Sequence, residues 1–110
     1  MSLWLRKKTY LKCPVATTVS LIGSKWKLLI LRDLLTGTKR FGQLKKSLPD
    51  ISQKVLTESL KSMVDDGIVE RVAYPEVPPR VEYSLTDLGE SMRPVISVME
   101  QWGKEYKESI

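Results

Sequence analysis

The clearest hydrophobic period in the chain lies between Ile51 and Gly67. Leu56, Leu60, Met63 and Val64 fall at i, i+4, i+7 and i+8, which places them on one face of a helix. Ser52 stands where its side chain can accept first-turn N–H groups, and Gly67 where a left-handed residue would end the helix. Ile51 before the cap and Leu56 inside it have the spacing of a hydrophobic staple. The opposite face carries Ser52, Gln53, Lys54, Thr57 and Lys61, crowded toward the N-terminal half. Asp65 and Asp66 close the other end, against the macrodipole preference, so that end is not built to meet phosphate. Such a helix is either an ordinary amphipathic surface helix or one that lays its polar edge into a DNA groove.

The flanking pattern predicts the rest of the fold. Pro14, a good first-turn residue, opens a helix through Val15, Thr18, Val19 and Ile22 to Gly23. Ser24 caps Lys25–Thr36, whose Trp26, Leu28, Leu29, Ile30, Leu31, Leu34 and Leu35 nearly encircle it and make it central to the core, and Gly37 stops it. Thr38-Lys39-Arg40 is a link or a one-bridge strand. Phe41–Leu48 reads as a short helix with Phe41, Leu44 and Leu48 inward and Gln43, Lys45 and Lys46 outward. With Pro49 and Asp50 forming a tight turn, the layout is helix-turn-helix.

After Gly67 the period changes to two. Ile68, Val72 and Tyr74 share one strand face, Val81, Tyr83 and Leu85 another, and Pro75-Glu76-Val77-Pro78-Pro79 forms a stiff loop between them. A hairpin directly after a groove-reading helix is a wing. Arg80 at its base reaches either DNA or a cross-strand partner, Glu70 or Glu82. Thr86 caps a last helix in which Leu88, Met92, Val95, Ile96, Met99, Trp102 and Tyr106 keep to one face, with a kink or interruption expected near Arg93 because of Pro94. That face is larger than a small domain needs and suggests a dimer seam. The expected class is therefore mainly α with a small β-hairpin (α+β). It divides into an arm at 1–12, a winged helix-turn-helix core at 13–86 and a dimerisation helix at 87–110. The arm mixes Trp4, Leu5, Tyr10 and Leu11 with Arg6, Lys7, Lys8 and Lys12, as a flexible arm or a short docking helix would.

Charge sharpens this picture. The 110 residues carry a net +5, but residues 1–48 hold 11 Lys and Arg against one acid, Asp33, while residues 49–110 hold 7 against 12 acids. One-sided basicity suits a polyanion such as double-stranded DNA better than it suits mere solubility. The apolar runs are too short to span a membrane, the order of the first residues is the reverse of a secretory signal, and a cytoplasmic protein is expected. No histidine is present and cysteine occurs once, which argues against a zinc site and against an enzyme; no cofactor or metal is expected.

Taken together, Cys13-Pro14-Val15, Ile22-Gly23-Ser24-Lys25-Trp26, Arg40-Phe41-Gly42-Gln43-Leu44, Ile51-Ser52-Gln53-Lys54-Val55-Leu56-Thr57 and Tyr74 to Thr86 resemble the HxlR-type bacterial transcriptional regulators, a MarR-like winged helix-turn-helix family. The likeness runs in order from Cys13 to about Trp102; Met1-Ser2-Leu3 reads as a leader outside it. The resemblance implies a homodimer on partly palindromic operator DNA, held through the N-terminal segment and the terminal helix. It also implies, as in several members, sensing of oxidants or electrophiles by the cysteine of the Cys-Pro motif, the position of Cys13. Helix dipole and Lys12 both favour a thiolate there; a small buried hydrophobe is the other reading.

The candidate contacts follow. In the recognition helix, Gln53 can pair with adenine, Lys54 with guanine or a phosphate, and Thr57 with a thymine methyl, beside Ser52 and Lys61. Lys39, Arg40, Lys45, Lys46 and Arg80 are candidates for phosphate or wing contacts, with solubility the alternative for the lysines. Leu11, Val95, Met99, Trp102 and Tyr106 are candidates for the dimer seam. In a dimer the two recognition helices should lie about 34 Å apart, one duplex turn. A small-molecule effector lined by Trp26, Tyr74 or Trp102 is weighed against plain core packing. The expected function is a sequence-specific transcriptional regulator, a repressor responsive through Cys13. The rival is a winged helix used only for protein–protein contact.

Overall fold

The computed structural model describes residues 13–110. Leu11 and the rest of the arm at 1–12 lie outside the described residues. The elements are α1 (Pro14–Ile22), α2 (Lys25–Leu34), β1 (Lys39–Arg40), α3 (Phe41–Ser47), α4 (Gln53–Asp65), β2 (Val69–Tyr74), β3 (Arg80–Leu85), α5 (Asp87–Glu90) and α6 (Arg93–Glu108). This is a winged helix-turn-helix, largely helical with one small antiparallel sheet.

Local chemistry sets most boundaries. Ser24 accepts the Lys27 N–H at 3.1 Å to start α2. The helix ends at Leu34 rather than Thr36, its last N–H groups tightening onto Asp33 and Leu34 before Gly37 turns the chain at φ 139. Ser52 accepts the Val55 N–H at 3.1 Å to start α4. At its other end Gly67, at φ 77, lets its own N–H reach Val64 O and the Ile68 N–H reach Met63 O, a Schellman closure. Ile51 and Leu56 are both buried, as a staple requires.

The core is built from the inward faces of α2, α3 and α4. Ile30, Leu31, Leu34, Leu44, Leu48, Ile51, Leu56, Leu60 and Met63 are all buried, with Ile68, Val69, Met92 and Ile96 closing the far side. Truncating a fully enclosed side chain such as Leu56 to alanine costs about 2–5 kcal/mol, so this face of α4 is committed to packing.

One expectation, a link or one-bridge strand at Thr38-Lys39-Arg40, is corrected. The sheet has three strands in the order β1-β3-β2, because Lys39 and Arg40 pair with Tyr83 and Glu82 on the outer side of the hairpin. Within the hairpin, Val72 and Tyr74 share one side of β2 and Val81, Tyr83 and Leu85 one side of β3, as their spacing predicts, and the register sets these two groups on opposite faces of the sheet. The register pairs Val69 with Leu85, Arg71 with Tyr83 and Ala73 with Val81, and paired residues point to the same side. The core-facing row of β2 therefore begins with buried Val69, while Val72 and Tyr74 look outward beside Glu82 and Arg80. The interruption expected near Arg93 is present, and the last helix is broken into α5 and α6. Met92 precedes α6 and Pro94 stands in its first turn, where its missing N–H is harmless. The break rotates Leu88 off the inward face and leaves it exposed, while Met92 and Ile96 stay buried.

Thr86 fastens the junction after the wing. Its hydroxyl donates to the carbonyls of Gly67 and Ile68 and accepts the Gly89 N–H at 3.2 Å, so one side chain joins the end of α4 to the start of α5. Gly89 sits so close to Ile68 O that a methyl group there would overlap it.

Candidate nucleic-acid interface

The burial of Leu56, Leu60 and Met63 fixes which edge of α4 faces outward. Ser52, Gln53, Lys54, Thr57 and Lys61 are all exposed. Two have local partners as well: the Ser52 hydroxyl caps the helix, and Thr57 Oγ1 donates to Gln53 O at 2.8 Å. The side chains of Gln53, Lys54 and Lys61 make no hydrogen bond or ion pair among the described residues, and the edge they form is open to solvent.

The preceding elements add cations. Arg40 and Lys46 are exposed, and Lys39 and Lys45 are half-buried. Gln43 is used in structure: its Oε1 accepts the Arg40 backbone N–H at 2.8 Å and so caps α3. Lys45 Nζ is 3.5 Å from Pro49 O, at the outer limit of a hydrogen bond, which leaves the ammonium accessible.

Arg80 is engaged within the wing. Its guanidinium pairs with Glu76 at 2.7 Å and Glu82 at 2.7 Å and lies over the Tyr74 ring, 3.9 Å from the centroid. The hydrogen bond to Glu76, followed by its charge and the Glu82 contacts, raises the Arg80 pKa above its ordinary value, against a smaller lowering from desolvation. Of the partners considered from the sequence, Glu82 is used and Glu70 is replaced by Glu76, which the loop folds back over the strand end.

Two cations escaped notice in the sequence. Lys27 Nζ donates to Ser62 Oγ at 2.7 Å, tying α2 to α4. Arg71, exposed on β2, lines a groove of about 240 Å³ with Thr57, Leu60, Lys61, Val64 and Tyr83, between the recognition helix and the wing. A lone arginine in a strand carries no periodic signal; its value comes only from the register that sets it beside α4.

The three aromatics considered as an effector cleft have separate surroundings. Trp26 packs under Lys25 Nζ at 4.6 Å, Tyr74 under Arg80, and Trp102 stacks on Tyr106 with centroids 5.4 Å apart. Trp26 lines a groove with Leu29, Arg32 and Pro49 to which neither Tyr74 nor Trp102 contributes. The Trp102–Tyr106 pair belongs to an exposed apolar stripe on α6, where Trp102 is 65% exposed and Met99 49%, with Val95 and Val98 alongside. Val15 and Val19 of α1 are likewise exposed. Cys13, at the N-cap position of α1, is an exposed free thiol.

Residues 21–110 match the family model described as HxlR-like helix-turn-helix. The chain belongs to that family. This HxlR-like protein is 47% identical over 98 residues to the HTH-type transcriptional regulator YdeP of Bacillus subtilis (strain 168), covering 89% of this chain and 77% of that one. Its fold is similar to the redox regulator HypR in its oxidised form, with a TM-score of 0.81 and 42% identity, covering 84% of this chain and 96% of HypR. It is also similar to the reduced transcriptional regulator YodB from B. subtilis, with a TM-score of 0.76 and 38% identity, covering 89% and 97% of the two chains. The family and these relatives are transcriptional regulators, not enzymes. No described helix of the HxlR-like protein is long and apolar enough to cross a membrane.

Proposed function

We propose that the HxlR-like protein binds operator DNA sequence-specifically as a cytoplasmic homodimer and represses transcription from a palindromic site. The observation that carries this reading is the exposed edge of Gln53, Lys54 and Thr57 on a helix whose opposite face is wholly committed to the core. Side chains of these types, in the first two turns of a helix, match the donor and acceptor pattern of base edges in a major groove. Lys39, Arg40, Lys45 and Lys46 supply phosphate contacts, which set affinity and register rather than sequence. The exposed stripe Val95, Met99, Trp102 and Tyr106, with the arm residue Leu11, forms the seam between protomers.

Cys13 makes the regulator responsive to oxidants. Its exposure and its place before Pro14 at a helix start support this reading, as does the likeness to HypR, a redox regulator, and to YodB, whose diamide-treated form is a structural neighbour.

The test is a salt titration on a duplex selected from random sequence and on an unselected duplex. Gln53→Ala should change preference among sites. Lys45→Ala should weaken all duplexes alike and lower the salt slope by about one unit. Equal loss on both duplexes for Gln53→Ala would remove the base-reading assignment. Wild-type protein with no salt-dependent affinity would leave the protein–protein module as the better reading.

A further inference from the structure

The two arginines of the wing have opposite surroundings. Arg80 is neutralised by Glu76 and Glu82, whereas Arg71 makes no ion pair or hydrogen bond among the described residues. Arg71 is paired in register with Tyr83, which is in turn paired with Lys39 across the sheet. All three side chains therefore stand on one face in a single row across β2, β3 and β1, with the Tyr83 ring between two cations. Facing that row from α4 are Thr57 and Lys61, which line the same groove as Arg71 and Tyr83. Neither Lys39 nor Lys61 has an ion-pair partner among the described residues.

Two positive charges, Arg71 and Lys61, thus line one cleft with no carboxylate among its lining residues, and Lys39 continues the row on the far side of Tyr83. Like charges this close are held together in a folded domain at a cost, which an anion in the cleft relieves. The location says which anion. A recognition helix in a major groove and a wing beside the adjacent minor groove stand on either side of one sugar-phosphate strand, and that strand must cross the gap between them.

We propose that Arg71, with Lys39 and Lys61, forms a seat for a backbone phosphate of the bound duplex, and that Arg71 rather than Arg80 is the wing's DNA-contacting arginine. This rests on the DNA-binding reading above. Thr57 Oγ1, already donating to Gln53 O, forms the neutral wall of the seat, and the Tyr83 ring its floor. The seat carries no sequence information of its own; it fixes how far α4 turns into the groove and hence the register in which Gln53 and Lys54 meet the bases.

The full chain is titrated with salt against the selected and the unselected duplex, comparing wild type, Arg71→Gln, Arg71→Lys and Lys39→Gln, with thermal melting to verify folding. Arg71→Gln should lower the slope of log affinity against log salt by about one unit on both duplexes, Lys39→Gln should do the same, and Arg71→Lys should restore the wild-type slope. If Arg71→Gln fails to fold, Arg71→Met, which keeps the apolar stem in the cleft, takes its place, and Arg80→Gln should leave the slope at the wild-type value. Wild-type binding with an unchanged slope in folded Arg71→Gln and Lys39→Gln would overturn the seat while leaving the DNA reading intact. Absence of salt-dependent binding by the wild type would overturn both.

Discussion

Lys27 Nζ on α2 donates to Ser62 Oγ on α4 across 2.7 Å, and the bond is partly shielded from solvent. It therefore removes one cation from the basic front half and uses it to fix the rotation of the recognition helix about the core. Lys27→Met keeps the packing of the stem and loses the bond. The expected cost is about 1 kcal/mol, seen as a fall of several degrees in Tm by circular dichroism. An unchanged Tm would show that the contact contributes nothing.

Gly89 offers a sharper stability test. A methyl group there would overlap Ile68 O and press on Leu85 Cδ2 at 3.0 Å, and a backbone carbonyl fixed by Thr86 cannot give way. Gly89→Ala should lose about 1–3 kcal/mol in denaturant unfolding. Gly42→Ala, where nothing lies within 4 Å, should be neutral or gain up to about 1 kcal/mol. Similar effects at both sites would contradict the packing described.

Trp102 is 65% exposed and contributes little to the protomer core. Trp102→Glu should leave the protomer folded and shift the protein from dimer to monomer in sedimentation equilibrium. A wild-type monomer, or a variant of unchanged mass, would move the seam elsewhere.

Diamide should weaken duplex binding by the wild type at least several-fold, and Cys13→Ser should bind equally with and without it. A full response in Cys13→Ser would exclude the thiol as the sensor, since no other cysteine is present.

The elements set by short-range chemistry were readable from the chain. Ser24, Ser52 and Thr86 announced their helices as caps, Gly67 its stop, and Pro94 the break before α6. Pairing was not readable. Alternate residues gave the faces of β2 and β3 separately, but the relation between two strands' faces comes only from register, and here Tyr74 opposes Arg80 while Tyr83 opposes Arg71. The site followed the same division. The polar edge of α4 could be read from helical spacing, whereas the Lys27–Ser62 bond spans 35 positions and the Arg71–Lys61 cleft depends on where a strand lies beside a helix.

Thr86 has a consequence for how a signal would travel. One hydroxyl holds the carbonyls that follow α4 and also caps the short helix leading to α6. In the proposed dimer, a tilt of the tail would reach the trailing end of α4 through this one hydroxyl as well as through Met92 and Ile96 in the core.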